Sequence, residues 1–330
     1  MSDAQAQQTK DQHTVSRCYL KRFENAQRRF FSFNKIHGKP SPSGTKGATV
    51  HEFFYDLHPA TLADPNADIQ WVENTFSILE NRYEEVLAAA VCEADAGAIS
   101  DKTGSSLAQF IALQWMRTAG RRADILEAEQ KAMQAMIDKW YAENAPGIPP
   151  GKFKRGVGYE PGLHANLMFD EAAVIGIAEN FWNLYWIVGR NTTSQPFYTS
   201  DDPVVRDRIP LENDGPNGPP WVGIEYSFPL SSKFTLVMMD RYMFSKTANT
   251  NGENVERRTF DMGETEVERY NALQVAKSTQ YVFCKENKFS LADRLCREEP
   301  RICDPVRSRE LVDATTLVFT ERGYSISLSG

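Results

Sequence analysis

Apolar residues recur along the chain with two periods, and the point where the period changes divides it. Val72, Phe76, Leu79, Tyr83, Val86 and Ala90 step by three and four, which predicts an amphipathic helix from about residue 67. A longer helical pattern covers about 105–143. A kink is expected near Gly120, because glycine inside a helix costs about 1 kcal/mol relative to alanine. After the loop APGIPPGKF a third helix is predicted over about 170–181. The pattern then turns strand-like at 184–188, 195–199, 222–228, 234–239, 280–284 and 316–319, interrupted by one helix at 264–277.

The other end reads as a short helix or extended segment at 13–23, a strand at 29–33, and the loop HGKPSPSGTKG. A second apolar stretch at 52–57 is expected to pair with that strand. A helical centre followed by a mostly antiparallel, strand-rich C-terminal half implies an α+β fold rather than alternating α/β units. One elaborate domain is expected, with a basic N-terminal segment (1–60), a helical part (66–181) and a strand-rich part (182–330). The longest apolar stretch, 172–188, is broken by Glu179, Asn180 and Asn183, so it reads as core rather than as a membrane span.

Composition narrows the class but not the reaction. With 41% hydrophobic and 25% charged residues in 330, the chain is neither disordered, collagen-like nor a disulfide scaffold. Its start, MSDAQAQQTKDQHT, lacks the apolar run of a secretory signal, and a cytoplasmic location without membrane contact is expected. The five cysteines (18, 92, 284, 296 and 303) contain no C-x-x-C pair and read as free, mostly buried thiols. A net charge of -7 argues against an overall electrostatic coat for nucleic acid, but it hides an asymmetry. Residues 10–46 hold nine Lys/Arg against two acids, a net +7, while residues 61–100 hold eight acids against one arginine, a net -7. The two segments either pair with each other or leave the basic one facing a phosphate-bearing ligand.

Phosphate-binding and dinucleotide-binding glycine motifs are absent, as are H-E-x-x-H and G-x-S-x-G. The five histidines show no metal-ligand spacing. The informative periodicity lies in the long helix, where Leu107, Ile111, Gln114, Thr118, Arg121, Ile125, Ala132 and Met136 share one stripe, with Arg117 at its edge. Buried guanidinium groups need a carboxylate or an anionic ligand. Glu73, Glu80 and Glu84 flank the preceding apolar stripe, and Glu80 lies closest to its buried face. The strand end F-Y-T-S-D-D-P offers Ser200, Asp201 and Asp202 at a turn, as catalytic groups or as backbone caps. His13 is a candidate for proton transfer, and Asn271 for either an internal hydrogen bond or a ligand contact.

Taken in order, these pieces resemble an uncharacterised prokaryotic family of unknown function, number 4238. The matching residues are Gln12-His13, then Tyr19-Leu20-x-x-Phe23, the helix V-E-N-T-F-S-I-L-E with Glu73 and Glu80, and A-L-Q-W-M-R-T with Gln114, Arg117 and Thr118. F-Y-T-S-D-D-P-V, F-P-L-S-S and the helix bearing Asn271 follow, so the likeness spans about residues 13–284. The resemblance carries no reaction. It implies convergence of His13, Glu80, Arg117 and Asp201, and a standalone intracellular bacterial or phage-associated protein, by analogy with a part in antiviral defence.

Two functions follow as expectations. In the first, a nuclease-like hydrolase acts on a nucleic acid or nucleotide. Arg117, with Gln114, Arg121, Ser200 and Asn271, holds the substrate; Glu80 and Asp201 act as base or hold a divalent cation such as Mg²⁺; His13 moves the proton. In the second, the protein binds without catalysis and the same residues form a satisfied polar core.

Overall fold

The computed structural model describes residues 9–59, 62, 64, 67–208, 223–242 and 255–307. Within them the chain is α+β. Strand β1 (Asp11–His13) and helix α1 (Arg17–Leu20) lead to β2 (Phe30–Asn34), β3 (Lys39–Ser43) and β4 (Val50–Glu52). Five helices follow: α2 (Trp71–Ala96), α3 (Asp101–Arg117), α4 (Ala119–Asn144), α5 (Tyr159–Met168) and α6 (Glu171–Asn183). Strands β5 (Tyr185–Asn191), β6 (Thr199–Ser200), β7 (Val205–Arg208), β8 (Ile224–Pro229), β9 (Phe234–Met239) and β10 (Thr259–Met262) come next. Helix α7 (Glu264–Lys277), β11 (Tyr281–Cys284) and α8 (Ser290–Glu298) follow, and short 3-10 turns lie at Lys21–Phe23 and Pro300–Cys303. The expected strand at 316–319 lies outside the described residues.

Five strands in the order β10-β5-β9-β8-β7 form one sheet, antiparallel except for the β10–β5 pair. Alternation along β5 and β9 gives it two apolar faces. Trp186, Val188, Leu236 and Met238 pack with α1, α2, α3 and α6, while Tyr185, Ile187, Val237 and Met239 pack on α7. A second sheet, β3-β2-β11-β6, joins the N-terminal strands to the C-terminal half and covers the other side of α7. Helix α7 is therefore wrapped all round, and Val267 to Ala276 is buried except for Glu268. That burial extends to Arg269, which pairs with Glu225 at 2.6 Å and Asp207 at 3.3 Å.

Local chemistry sets the boundaries. Gly97 ends α2 at φ +112°, a backbone angle a side chain would strain. A Cβ on Gly104 would lie 2.7 Å from the Trp182 ring, so glycine lets α3 meet α6 closely. The long helical pattern is broken at Thr118 rather than kinked at Gly120. Thr118 is extended (ψ 152°) and its hydroxyl accepts the Arg121 amide, capping α4.

Three sequence expectations are corrected. The stretch 52–57 expected to pair with 29–33 forms no strand beyond Glu52, the last residue of β4, and β4 pairs with β1. The proline-bearing loop contains β3, an edge strand on β2 in which Pro40 and Pro42 are tolerated because no further strand needs their amides. The thiols are all free, but Cys18 and Cys284 are buried while Cys92 is exposed and Cys296 and Cys303 are half-buried. No helix among the described residues is long and apolar enough to cross a membrane.

Candidate functional site

The N-terminal segment 11–16 runs across the end of α3 beside α2, and buried polar side chains hold it there. Gln114 accepts the Ser16 amide at 3.0 Å and donates to the Thr14 carbonyl at 3.3 Å, so its amide substitutes for a neighbouring strand. Arg117 donates to the His13 carbonyl at 2.5 Å and to Glu80 at 3.4 Å, with its guanidinium 4.0 Å from the centre of the Phe76 ring. Glu80 also accepts the Arg17 amide at 3.3 Å, at the start of α1. Tyr55 closes the group by donating to the Arg117 carbonyl at 2.8 Å. The Tyr-Leu-x-x-Phe residues Tyr19, Leu20 and Phe23 are fully buried, and Tyr19 hydrogen-bonds the Thr199 hydroxyl at 2.7 Å.

Of the four residues expected to converge, Glu80 and Arg117 meet, with Gln114 beside them, while His13 contributes its main-chain carbonyl and Asp201 lies apart. The cavity beside Glu80, Gln114 and Arg117 has about 10 Å³, enough for one water molecule, and neither His13 nor Asp201 lines it. Among the described residues, the Nε atoms of Arg17 and Arg117 and Oε2 of Glu73 are buried there without a partner. Burial pushes the Glu73 carboxyl above the usual range, against the pull of Arg117. The His13 imidazole faces Thr45, with Nε2 3.1 Å from its carbonyl. Burial first, and then the charge of Arg17, hold that imidazole below the ordinary histidine value, so it is neutral at pH 7.

The remaining sequence-derived residues form separate groups. Asp201 accepts the amides of Thr279 (2.8 Å), Gln280 (2.7 Å) and Tyr281 (2.9 Å), fixing the turn from α7 into β11. Ser200 donates to Gln274 at 2.7 Å and accepts the Asp202 amide at 3.2 Å. Asn271 accepts the Tyr198 amide at 2.7 Å and donates to the Pro196 carbonyl at 3.0 Å. Arg121 lies beyond the Thr118 break, its guanidinium 3.9 Å from the centre of the Trp115 ring. Asp202 accepts from the Thr118 hydroxyl at 3.2 Å. Among the described residues, no group of three or more His, Cys, Asp or Glu converges to hold a metal ion.

A recurring device explains these positions. Strands β1 and β6 have only three and two residues, too few to satisfy the extended segments 11–16 and 196–203 by ladders. Gln114 and Arg117 on α3, and Asn271 and Gln274 on α7, supply the missing hydrogen bonds from helix side chains.

An open polar site lies on the other side of Thr45. A groove of about 810 Å³ runs between the turn 24–29 and the loop 42–47, lined by Lys21, Arg28, Arg29 and Lys46 against the single carboxylate of Glu24. Lys21 is held by Glu84 at 3.0 Å, while Arg28, Arg29 and Lys46 are exposed and form no salt bridge among the described residues. Arg28 adopts φ +53°, in the left-handed region that glycine or asparagine would occupy with less strain. The local charge excess pointed to this segment, but no motif singled out these three residues.

An α+β core in which helix side chains strap short extended segments, beside an open basic groove, defines the architecture. The chain belongs to DUF4238, a family of proteins of unknown function whose model matches residues 11–288. No curated protein and no solved structure matches it.

Proposed function

We propose that this protein binds a phosphate-bearing ligand, a nucleic acid or nucleotide, in the groove between Lys21, Arg28, Arg29 and Lys46, without chemistry at the buried His13–Glu80–Arg117 cluster. The observation that carries the reading is the groove lining, four cations around one carboxylate in about 810 Å³. Guanidinium forks match phosphate oxygens in pairs, and the strained backbone at Arg28 supports a role for its side chain. In this reading the polar cluster behind the groove is structural, because Gln114 and Arg117 are committed to the main chain of residues 13–16 and the cavity beside them has room for one water.

Fluorescence anisotropy with labelled mixed-sequence RNA and DNA, at several salt concentrations, tests the proposal. Binding that weakens about tenfold or more in the Arg28→Glu, Lys46→Glu double variant, with a salt slope smaller by about two, is the expected result. No binding at low salt, or binding indifferent to the reversal, would reject the groove.

The nuclease-like hydrolase is the second reading, favoured by the neutral His13 imidazole against Thr45, a residue of the groove wall. Turnover of the same nucleic acids in Mg²⁺ or Mn²⁺ that disappears in His13→Ala would replace binding with hydrolysis.

A further inference from the structure

Two cations cover the C-terminal end of α7. Lys35 donates to the Val275 and Ser278 carbonyls at 2.8 and 2.7 Å, and Arg307 to the Ala276 and Ser278 carbonyls, both at 2.8 Å. The chain reaches Arg307 through α8 and the 3-10 turn Pro300–Cys303, which pack together. This pair of elements carries two of the five cysteines, Cys296 in the last turn of α8 and Cys303 at the end of the 3-10 turn, with six residues between them. The Cys303 Sγ lies 3.9 Å from the Cys296 carbonyl oxygen, and the two thiol side chains interact directly. Both are half-buried on the flank of the cluster formed by Phe289, Leu295 and Ile302, so a small oxidant can reach them, whereas Cys18 and Cys284 are buried.

We infer that Cys296 and Cys303 are a redox modification site that closes to a reversible disulfide, with a hydroperoxide as the oxidant. One thiolate attacks the O–O bond, leaving a sulfenic acid and, for hydrogen peroxide, releasing one water once protonated. The second sulfur then displaces the sulfenic hydroxyl as another water, and the S–S bond forms. Two thiols lose two electrons and two protons, and one peroxide becomes two waters. A dithiol reverses the bond by exchange. The buried Lys35 ammonium is near enough for its charge to act on both sulfurs, which favours the attacking thiolate. Burial pushes the Cys296 thiol up to about 12, so the first attack falls to Cys303 and the condensation to Cys296. Once closed, the bond fastens the turn leading to Arg307 onto α8, and with it the cap on α7, whose Asn271 and Gln274 strap the segment 196–203.

Intact-mass spectrometry of the full chain before and after a small excess of hydrogen peroxide tests this. A loss of about 2 Da, restored by dithiothreitol, is expected. Trypsin cuts between the two cysteines at Arg297 and Arg301, so a non-reduced digest should hold their peptides joined. Cys296→Ser and Cys303→Ser should each abolish the loss, and Cys92→Ser, at an exposed thiol, should keep it. A wild-type chain without this linkage, whether unreacted or carrying added oxygen on either sulfur, overturns the inference. So does a loss of mass that persists in Cys303→Ser.

Discussion

Replacing Asn271 by alanine separates a structural from a ligand-binding role. The Asn271 amide is fully buried and spends its bonding capacity on one amide and one carbonyl of the segment 196–198. In the alanine variant both the Tyr198 N–H and the Pro196 carbonyl lose their partner, in a region where Phe197 and Tyr198 are themselves fully buried. Each unsatisfied buried group costs about 1–3 kcal/mol, so about 2–5 kcal/mol is expected once partial relaxation is allowed. An unfolding entropy of about 2.1 cal/mol/K per residue makes that a fall in Tm of about 3–7 °C for a chain of this length. Scanning calorimetry on the wild type and Asn271→Ala reads it directly. A ligand contact behaves oppositely, since removing a binding group from a free protein leaves stability unchanged or higher. A melt within about 1 °C of the wild type would therefore refute the strap role of α7.

Two further expectations concern pH. Lys35 is buried with its ammonium on the carbonyls of Val275 (2.8 Å) and Ser278 (2.7 Å), and burial lowers its pKa to about 7. The folded state releases that proton before the unfolded state does, so its contribution to stability grows as pH rises above 7; urea midpoints at pH 7 and 8.5 should show the wild type gaining up to about 1.4 kcal/mol per pH unit on Lys35→Met. His164 donates from Nε2 to the Met116 carbonyl at 2.7 Å and accepts from Arg122 on Nδ1 at 3.0 Å, with burial lowering its pKa to about 3. The unfolded chain takes up this proton below about pH 6.5, so stability is lost as pH falls from there towards 3, and His164→Gln should flatten that acid limb in the same assay.

The helical and strand periods read from sequence place α2, α6, α7 and β9 within a few residues. They work there because each element buries a face, and burial writes itself into the order of side chains. Strand β6 is cut to two residues because Asn271 and Gln274 take over its pairing, a substitution invisible to local periodicity. Helix α5 and strand β10 were not expected at all. The pairing of Arg117 with Glu80 was legible for a physical reason: a guanidinium on an apolar stripe must find a partner. The other partners of Gln114 and Arg117 were not legible, because they are mostly main-chain amides and carbonyls, which no letter of the sequence distinguishes. Met136 shared the stripe of Leu107 and Ile111 on paper, yet the break at Thr118 turns it outward.

The second sheet has a consequence for synthesis. Strand β2 receives β3 within moments of leaving the ribosome, but its other edge waits for β11, and Lys35 waits for Val275, 240 residues downstream. At about 5–20 residues per second the nascent chain carries that open edge for roughly 12–48 s. Phe31 and Phe33 stand in the unpaired row throughout, so the growing polypeptide is most vulnerable to edge-on association with its neighbours on the same messenger until translation is nearly complete.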